Sequence, residues 1–330
     1  MRLGVVGAGQ HANGAVYPAI VESGFELAAI CSRTPERAQA TARRWGAEHH
    51  YGAVEDMLAA GGLDGVVVIV PATEYRPIIA QCIEAELPVF CEKPAGQSSA
   101  EMFELADLAV AANCEVVVDY MKRFAPAYRR AHELIRAPHF GAPSLAHFAF
   151  VLGQFDGYFE GRRDDLRYYL TEAPVHMIDL ARFLVGELSD LSAVLNVVPR
   201  FGFCVSVVAK ADGGATCSFD FSSTASFAHR GEMIDVYGRG NAVQVDNVDT
   251  CTYRPADGPA QVWRPNYTLP APVNSGATTM GFRPALEHFH DVVVGKTENQ
   301  SDMVSAARTL ATVERLLEQL EPAWSAVRDG

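Results

Sequence analysis

The chain has 330 residues, enough for about two domains, and 49% of them are apolar, the share of a globular protein with a packed core. A net charge of −13 excludes a general nucleic-acid surface, which needs clustered Lys and Arg against phosphate. No apolar run is long enough to span a bilayer.

Seven cysteines, Cys31, Cys82, Cys91, Cys114, Cys204, Cys217 and Cys251, are odd in number and lack C-x-x-C spacing. Several lie in apolar runs, where a thiol behaves as a small hydrophobe. Reduced thiols and a cytoplasmic protein are the expectation. The opening Met1-Arg2-Leu3-Gly4 is broken by glycine too soon for a signal peptide.

The first third alternates short Val-rich runs with helical patterns. The runs are Leu3–Val6, Leu27–Cys31, Val66–Val70, Val89–Cys91 and Val116–Val118. Near-continuous apolar runs of this length predict strands buried on both faces of a parallel sheet. Helices are predicted over Pro35–Trp45, Pro77–Ala85 and Ala100–Ala112. Strand–helix alternation of this kind predicts an α/β, doubly wound domain over 1–122. Pro18, inside the first helix, predicts a kink.

From 123 onward the pattern changes. A helix is predicted from Ala125 to Ile135, and another from Thr171 to Gly186. Then come period-two segments in which Cys217, Phe219 and Phe221 alternate with Ser218, Asp220 and Ser222. Hairpin turns are read at Asp212-Gly213-Gly214 and Gly238-Arg239-Gly240-Asn241, so 123–330 is predicted to be an α+β domain with a mostly antiparallel sheet. Pro255–Thr279 reads as a long loop. Helices near Arg283–Val294 and Met303–Leu320 close the chain.

Gly7-Ala8-Gly9-Gln10-His11-Ala12 follows the first strand and opens a helix, fitting G-x-G-x-x-G/A. Gly7 permits the tight turn, Gly9 lets a pyrophosphate approach the backbone, and the small Ala12 allows helix and strand to pack closely. The helix start offers unpaired N–H groups to phosphates. A dinucleotide site is therefore expected on Gly7, Gly9, Gln10, His11 and Ala12. The second strand ends in Ser32-Arg33 with no acid for a ribose 2′-hydroxyl. Ser32, Arg33 and Arg37 suit a 2′-phosphate, which favours NADP over NAD. The alternative is that Arg33 covers the adenine of NAD.

Phe90-Cys91-Glu92-Lys93-Pro94, the phosphate loop and a later helical His176 together resemble the Gfo/Idh/MocA oxidoreductases (glucose–fructose oxidoreductase, inositol dehydrogenase and relatives). The resemblance implies a Rossmann domain followed by an α/β domain with a large open sheet. That second domain supplies the substrate site and packs against another subunit, giving a homodimer or homotetramer. It places Glu92, Lys93 and the loop at Pro71 beside the cofactor, often with a cis Lys-Pro bond. Thr171-Glu172-Ala173-Pro174-Val175-His176-Met177-Ile178-Asp179 matches the family's catalytic helix, with Glu172 where the family has Asp. Thr171 is read as its cap, and Glu172, His176 and Asp179 as one stripe. Asp179 is a candidate substrate contact, or equally a structural partner of Arg182.

Asp119-Tyr120-Met121-Lys122-Arg123-Phe124 resembles the stretch that lines the family's substrate cleft, which makes Tyr120 and Lys122 candidate sugar contacts; Lys122 and Arg123 could equally make interdomain ion pairs. Tyr158, Arg163, Arg167 and Tyr168 are further pocket candidates. His288 and His290 flank Phe289 and do not share a face, and no four-ligand zinc spacing occurs. No metal is expected.

The implied activity is hydride transfer between nicotinamide and a secondary alcohol or ketone of a sugar, cyclitol or related compound. His176 would act as base, with Lys93 on the reacting oxygen and Glu172 orienting the ring. A keto-sugar reductase on a nucleotide-linked or antibiotic sugar, and a dinucleotide-sensing regulator of the same fold, are the alternatives.

Overall fold

Six parallel strands, β1 (Arg2–Val6), β2 (Glu26–Cys31), β3 (His49–Tyr51), β4 (Gly65–Val68), β5 (Val89–Glu92) and β6 (Val116–Asp119), form one sheet in the order β3-β2-β1-β4-β5-β6. The structure, a computed structural model, describes residues 1–152, 165–198, 202–225, 231–266 and 275–328. The Val-rich runs form strands because both faces of β4, β5 and β6 are buried at every position. The order reverses between β1 and β4. In open α/β sheets, ligands bind at the carboxyl ends of the strands flanking that reversal.

The connecting helices follow local signals. Helix α1 (Tyr17–Glu22) is preceded by a π-helical turn over Ala12–Val16, in which the Tyr17 N–H reaches the Ala12 carbonyl. The widened turn places Pro18 in the first turn of α1, where its missing N–H is tolerated; this takes the place of the expected kink. Helix α2 (Pro35–Trp45) has proline at its start and Gly46 in the left-handed conformation at its end, the usual asymmetry. Helices α3 (Val54–Ala60), α4 (Tyr75–Glu84) and α5 (Ser99–Ala111) complete the crossovers.

Two compact units divide the chain. One comprises Met1–Phe124 with Pro270–Arg308, and the other Ala125–Leu269 with Thr309–Gly330. The sequence suggested one crossing near 122; the chain also returns to the parallel sheet through a late segment. The second unit contains α6 (Pro126–Arg136), α7 (Leu166–Glu172) and α8 (Val175–Val185). In the returning segment are α9 (Gly276–Met280) and α10 (Phe282–Val293), and α11 (Met303–Arg328) follows. Helix α10 buries Phe282, Ala285, Leu286, Phe289 and Val292 in one core with Leu3, Val5, Phe90 and Val117. Each large side chain there contributes about 1.5–3 kcal/mol.

Among the described residues the second unit carries eight strands: β7 (Leu145–Val151), β8 (Leu188–Val198), β9 (Gly202–Ala211), β10 (Thr216–Ser222), β11 (Gly231–Gly238), β12 (Asn241–Asp246), β13 (Thr250–Arg254) and β14 (Gln261–Trp263). Their order is β14-β13-β12-β11-β7-β10-β9-β8. Pairing is antiparallel except between β7 and β10. Cys217, Phe219 and Phe221 point into the core as the alternation predicts. Gly238 pairs with Asn241 across a two-residue turn in which Arg239 (φ +49°) and Gly240 (φ +81°) are both left-handed, the twist that hairpins favour.

Two expectations change here. Thr171–Gly186 is not one helix. It divides at Ala173 (φ −122°, ψ −63°), because the residue before a proline is driven out of the α region. Pro255–Thr279 is not wholly loop; it holds β14 and the start of α9, and its residues 267–274 lie outside the described residues. All seven cysteines are free thiols. Among the described residues no helix is long and apolar enough to cross a membrane, and no cluster of His, Cys, Asp and Glu could hold a metal ion.

Candidate active site

The loop after β1 is shaped by Gly7. Its φ is +135°, its N–H donates to the Cys31 carbonyl at 2.9 Å, and a Cβ there would lie 2.1 Å from the Ile69 carbonyl oxygen. A Cβ at Gly9 would meet nothing within 4 Å. Ala12 is fully buried. The Tyr17 hydroxyl donates to the Gly7 carbonyl at 2.6 Å and the Asn13 amide to the Gly9 carbonyl at 2.9 Å. Trp45 Nε1 in turn donates to Asn13 Oδ1 at 2.9 Å. Asn13, Tyr17 and Trp45 therefore brace the loop, a role the sequence motif does not announce.

Beside this loop, β5 ends at Glu92, Lys93 follows it directly, and Lys93-Pro94 is cis. His11 Nε2 and Glu92 Oε1 are 2.6 Å apart, and the Lys93 N–H donates to Glu92 Oε2 at 3.1 Å. One carboxylate thus ties the phosphate loop to the backbone of Lys93. Burial pushes the Glu92 carboxyl up, but the charge and hydrogen bond of His11, with Lys93, outweigh it and hold Glu92 below its ordinary range.

Asp119 is the β6 residue paired with Glu92. It is 1% exposed, and no hydrogen bond within 3.5 Å reaches its oxygens from the described residues, although Glu92 lies close enough to share a proton with it. Burial, then the charge of Glu92, push this carboxyl well above its usual value. The sequence marked Asp119 only as the start of a cleft-lining stretch.

At the end of β2, Ser32 Oγ accepts from the Thr34 N–H at 3.3 Å. Arg33, 77% exposed, reaches Glu74 at 3.1 Å, and Arg37 is exposed on the first turn of α2. Pro71 is exposed and begins the short turn Ala72–Glu74 after β4.

In the second unit, His176 is buried in the first turn of α8 and Glu172 is half-buried at the end of α7. Because the helix breaks between them, the expected i, i+4 stripe on a single helix does not hold. Thr171 does not cap α8 either: its hydroxyl bonds back to the Arg167 carbonyl at 2.9 Å, while Asp165 caps α7. Asp179, 1% exposed, accepts from Thr309 Oγ1 at 2.9 Å, and Arg182 donates to that same hydroxyl. Of the two roles weighed for Asp179, this geometry is the structural one.

Tyr120 and Lys122, expected at the substrate, are 0% and 3% exposed. The turn Met121–Phe124 folds them inward, leaving almost no surface for a ligand. Arg123 bonds the Gln300 carbonyl at 2.6 Å and Ser305 at 3.0 Å, all within the first unit, so these bonds are not interdomain ion pairs. Arg167 is exposed and lies 3.6 Å from Glu314, while Tyr168 is half-buried. Tyr158 and Arg163 lie outside the described residues.

Residues 1–120 match the model of the Gfo/Idh/MocA oxidoreductase family, described as having an NAD-binding Rossmann fold. The match is to the Rossmann domain, the part of the chain that carries the phosphate loop and Lys93. The chain is 25% identical over 173 residues to D-apiose dehydrogenase of Rhizobium rhizogenes, an alignment covering 52% of this chain and 50% of that protein. It is 29% identical over 262 residues to D-xylose 1-dehydrogenase (NADP(+)) 2 of Haloferax volcanii, covering 76% and 78%. The chain thus spans about half the length of the D-apiose dehydrogenase it matches. A dehydrogenase from Chromobacterium violaceum has the same fold, with a TM-score of 0.85 at 21% identity over 99% of this chain and 98% of that one.

The phosphate loop fits the dinucleotide of the Gfo/Idh/MocA family. Gly7 turns where no side chain fits, and the backbone at Gly9 is open to a ligand. Gly7, Gly9, Gln10, His11 and Ala12 would hold the pyrophosphate, and Ser32, Arg33 and Arg37 the adenosine end.

Proposed function

We propose that the protein is an NAD(P)-dependent oxidoreductase of a secondary alcohol or ketone on a sugar, cyclitol or sugar derivative. The observation that carries this reading is the tie between His11 of the phosphate loop, Glu92 and the backbone of Lys93. It fixes the lysine at the carboxyl end of β5, on the edge of the sheet where dinucleotides bind. The sugar dehydrogenases among its relatives support the substrate class.

When bound, the nicotinamide supplies the hydride donor or acceptor. Lys93 hydrogen-bonds the reacting oxygen and stabilises its developing charge. His176 is the base we favour for the hydroxyl proton; the break at Ala173 removes the helical spacing through which Glu172 was expected to orient it. Acid–base help of this kind gives on the order of 10²–10⁴-fold; positioning supplies the rest.

NADP is the cofactor we favour. No acid ends β2, and Ser32, Arg33 and Arg37 gather there. The Arg33–Glu74 pair is exposed and worth at most about 1 kcal/mol, so a 2′-phosphate displaces Glu74 at little cost. Ser32→Asp should turn the preference toward NAD; a parent protein that already prefers NAD refutes this assignment. A second copy of the chain, packing on the sheet face that exposes Val194 and Val208, is the partner we favour.

The activity is tested by screening polyols and keto sugars while following absorbance of the reduced cofactor. Lys93→Ala should lower turnover by 10²-fold or more and leave dinucleotide affinity within about threefold. Full activity in that variant overturns the mechanism.

A further inference from the structure

We propose that His11 is a cofactor-binding residue whose grip on the dinucleotide depends on its proton, and that Asp119 is a positioning residue that acts on it as a neutral acid behind Glu92. The inference rests on the dinucleotide site proposed above and assigns that site a charge mechanism.

The loop Gly7-Ala8-Gly9-Gln10-His11-Ala12 has one ionisable side chain, His11. Its ring is 40% exposed on the loop, and Nε2 lies 2.6 Å from Glu92. From α10 the Phe282 ring meets it edge-on at 5.8 Å. From β5 it faces Glu92, whose other oxygen accepts from the Lys93 N–H. Behind Glu92, on β6, Asp119 is paired in register. Cys91, next along β5, donates its thiol to the Val117 carbonyl at 3.8 Å, and burial keeps it neutral.

Two carboxylates side by side at 5% and 1% exposure cannot both ionise without a large cost. Glu92 has the cationic partners, so Glu92 is the anion and Asp119 the acid. Beside the Lys93 ammonium, which draws both carboxyls down, the row His11–Glu92–Asp119 itself carries zero net charge when the imidazole is protonated and one negative charge when it is not. A pyrophosphate arriving at this loop meets a neutral row at low pH and an anionic one at high pH. Imidazole is the side chain whose ordinary titration falls between the two. Were Asp119 ionised, the row would be anionic even with His11 protonated, and binding would be weakened throughout.

The experiment measures NAD+ affinity by calorimetry from pH 6 to 8.5; its phosphates stay ionised over that range. For wild type we expect Kd to rise roughly five- to tenfold across it, the size of one unit charge at a partly solvated site. In His11→Gln, Kd should vary less than twofold. Because binding favours the protonated ring, wild type must take up a fraction of a proton on binding NAD+ near neutral pH, read by repeating the titration in buffers of different ionisation heat. That measurement needs no variant and stands if His11→Gln fails to fold. Infrared spectra at pH 7 should show the carbonyl stretch of a protonated carboxyl that disappears in Asp119→Asn. A flat wild-type profile with no proton uptake overturns the role of His11 and leaves the proposed activity intact. A missing carboxyl band overturns the role of Asp119. No affinity for NAD+ or NADP+ at any pH overturns the dinucleotide site itself, and this inference with it.

Discussion

Gly7 and Gly9 stand two residues apart in one motif, yet alanine at each should fail differently. At Gly7 the φ of +135° costs an L-residue about 1–3 kcal/mol. The added Cβ would also lie 2.1 Å from the Ile69 carbonyl oxygen, which is backbone and cannot swing aside. Relief requires moving the segment that holds the 2.8 Å bond from the Ile69 N–H to the Val6 carbonyl, worth about 0.5–1.5 kcal/mol. Together these give a destabilisation of about 2–4 kcal/mol, or roughly 5–15 °C in Tm for a unit of this size. At Gly9 the Cβ meets nothing within 4 Å, so stability should stay within about 0.5 kcal/mol of wild type. Dinucleotide affinity should nevertheless fall at least tenfold, because the methyl occupies the open backbone that the pyrophosphate approaches. Thermal denaturation and fluorescence titration with NADPH separate the two effects. A Gly7→Ala protein as stable as wild type, or a Gly9→Ala protein that binds as well, refutes the division between a glycine kept for the fold and one kept for the ligand.

Three further outcomes follow from the same geometry. Glu74→Gln frees Arg33 from its exposed partner and should tighten NADP+ binding by up to about fivefold, the worth of a surface pair, with NAD+ affinity unchanged; equal effects on both would show that Arg33 does not read the 2′-phosphate. Thr309→Val removes the hydroxyl that donates to Asp179 and accepts from Arg182 and should cost about 1–3 kcal/mol in urea unfolding; no loss would mean the network rearranges freely. Asp119 keeps in the folded state a proton that the unfolded chain releases above about pH 3.9, so it lowers wild-type stability as pH rises. Asp119→Asn should therefore gain on wild type by about 1.4 kcal/mol per pH unit from about pH 4 upward, until the folded Asp119 ionises. Glu92, held low, acts in the opposite sense, its contribution being lost only as pH falls below about 4.3. Urea curves at pH 5, 6 and 7 that stay parallel would contradict the raised Asp119.

What was legible in the sequence was whatever a single element announces by itself. β1, β2, β4, β5 and β6 are buried on both faces, so their apolar runs are nearly continuous. The phosphate loop and Lys93 follow such runs directly. β3 was not legible: it is a three-residue edge strand whose His49 and His50 are exposed, and it has no apolar pattern to read. Helix α10 shows its period in Phe282, Ala285, Leu286 and Phe289, but a period says which face is buried and not which unit buries it. Pro174 suits a helix start, but the start it marks is that of α8 and not one capped by Thr171, so the break falls at Ala173 inside the stretch read as one helix.

The charged row at the sheet edge required a different kind of information. His11 follows β1, Glu92 ends β5 and Asp119 ends β6, so all three belong to the carboxyl edge of the parallel sheet. Parallel strands lie about 4.8 Å apart. β5 and β6 are neighbours, and their register sets Glu92 against Asp119. β1 and β5 are separated by β4, a gap of about 9.6 Å, which an imidazole and a glutamate close only by reaching toward each other over the end of β4. That strand stops at Val68, and the Gly7 turn keeps Ile69 close beneath it. Strand order and register, which only the pairing of the sheet reveals, are therefore what turn three separate polar residues at strand ends into one interacting row.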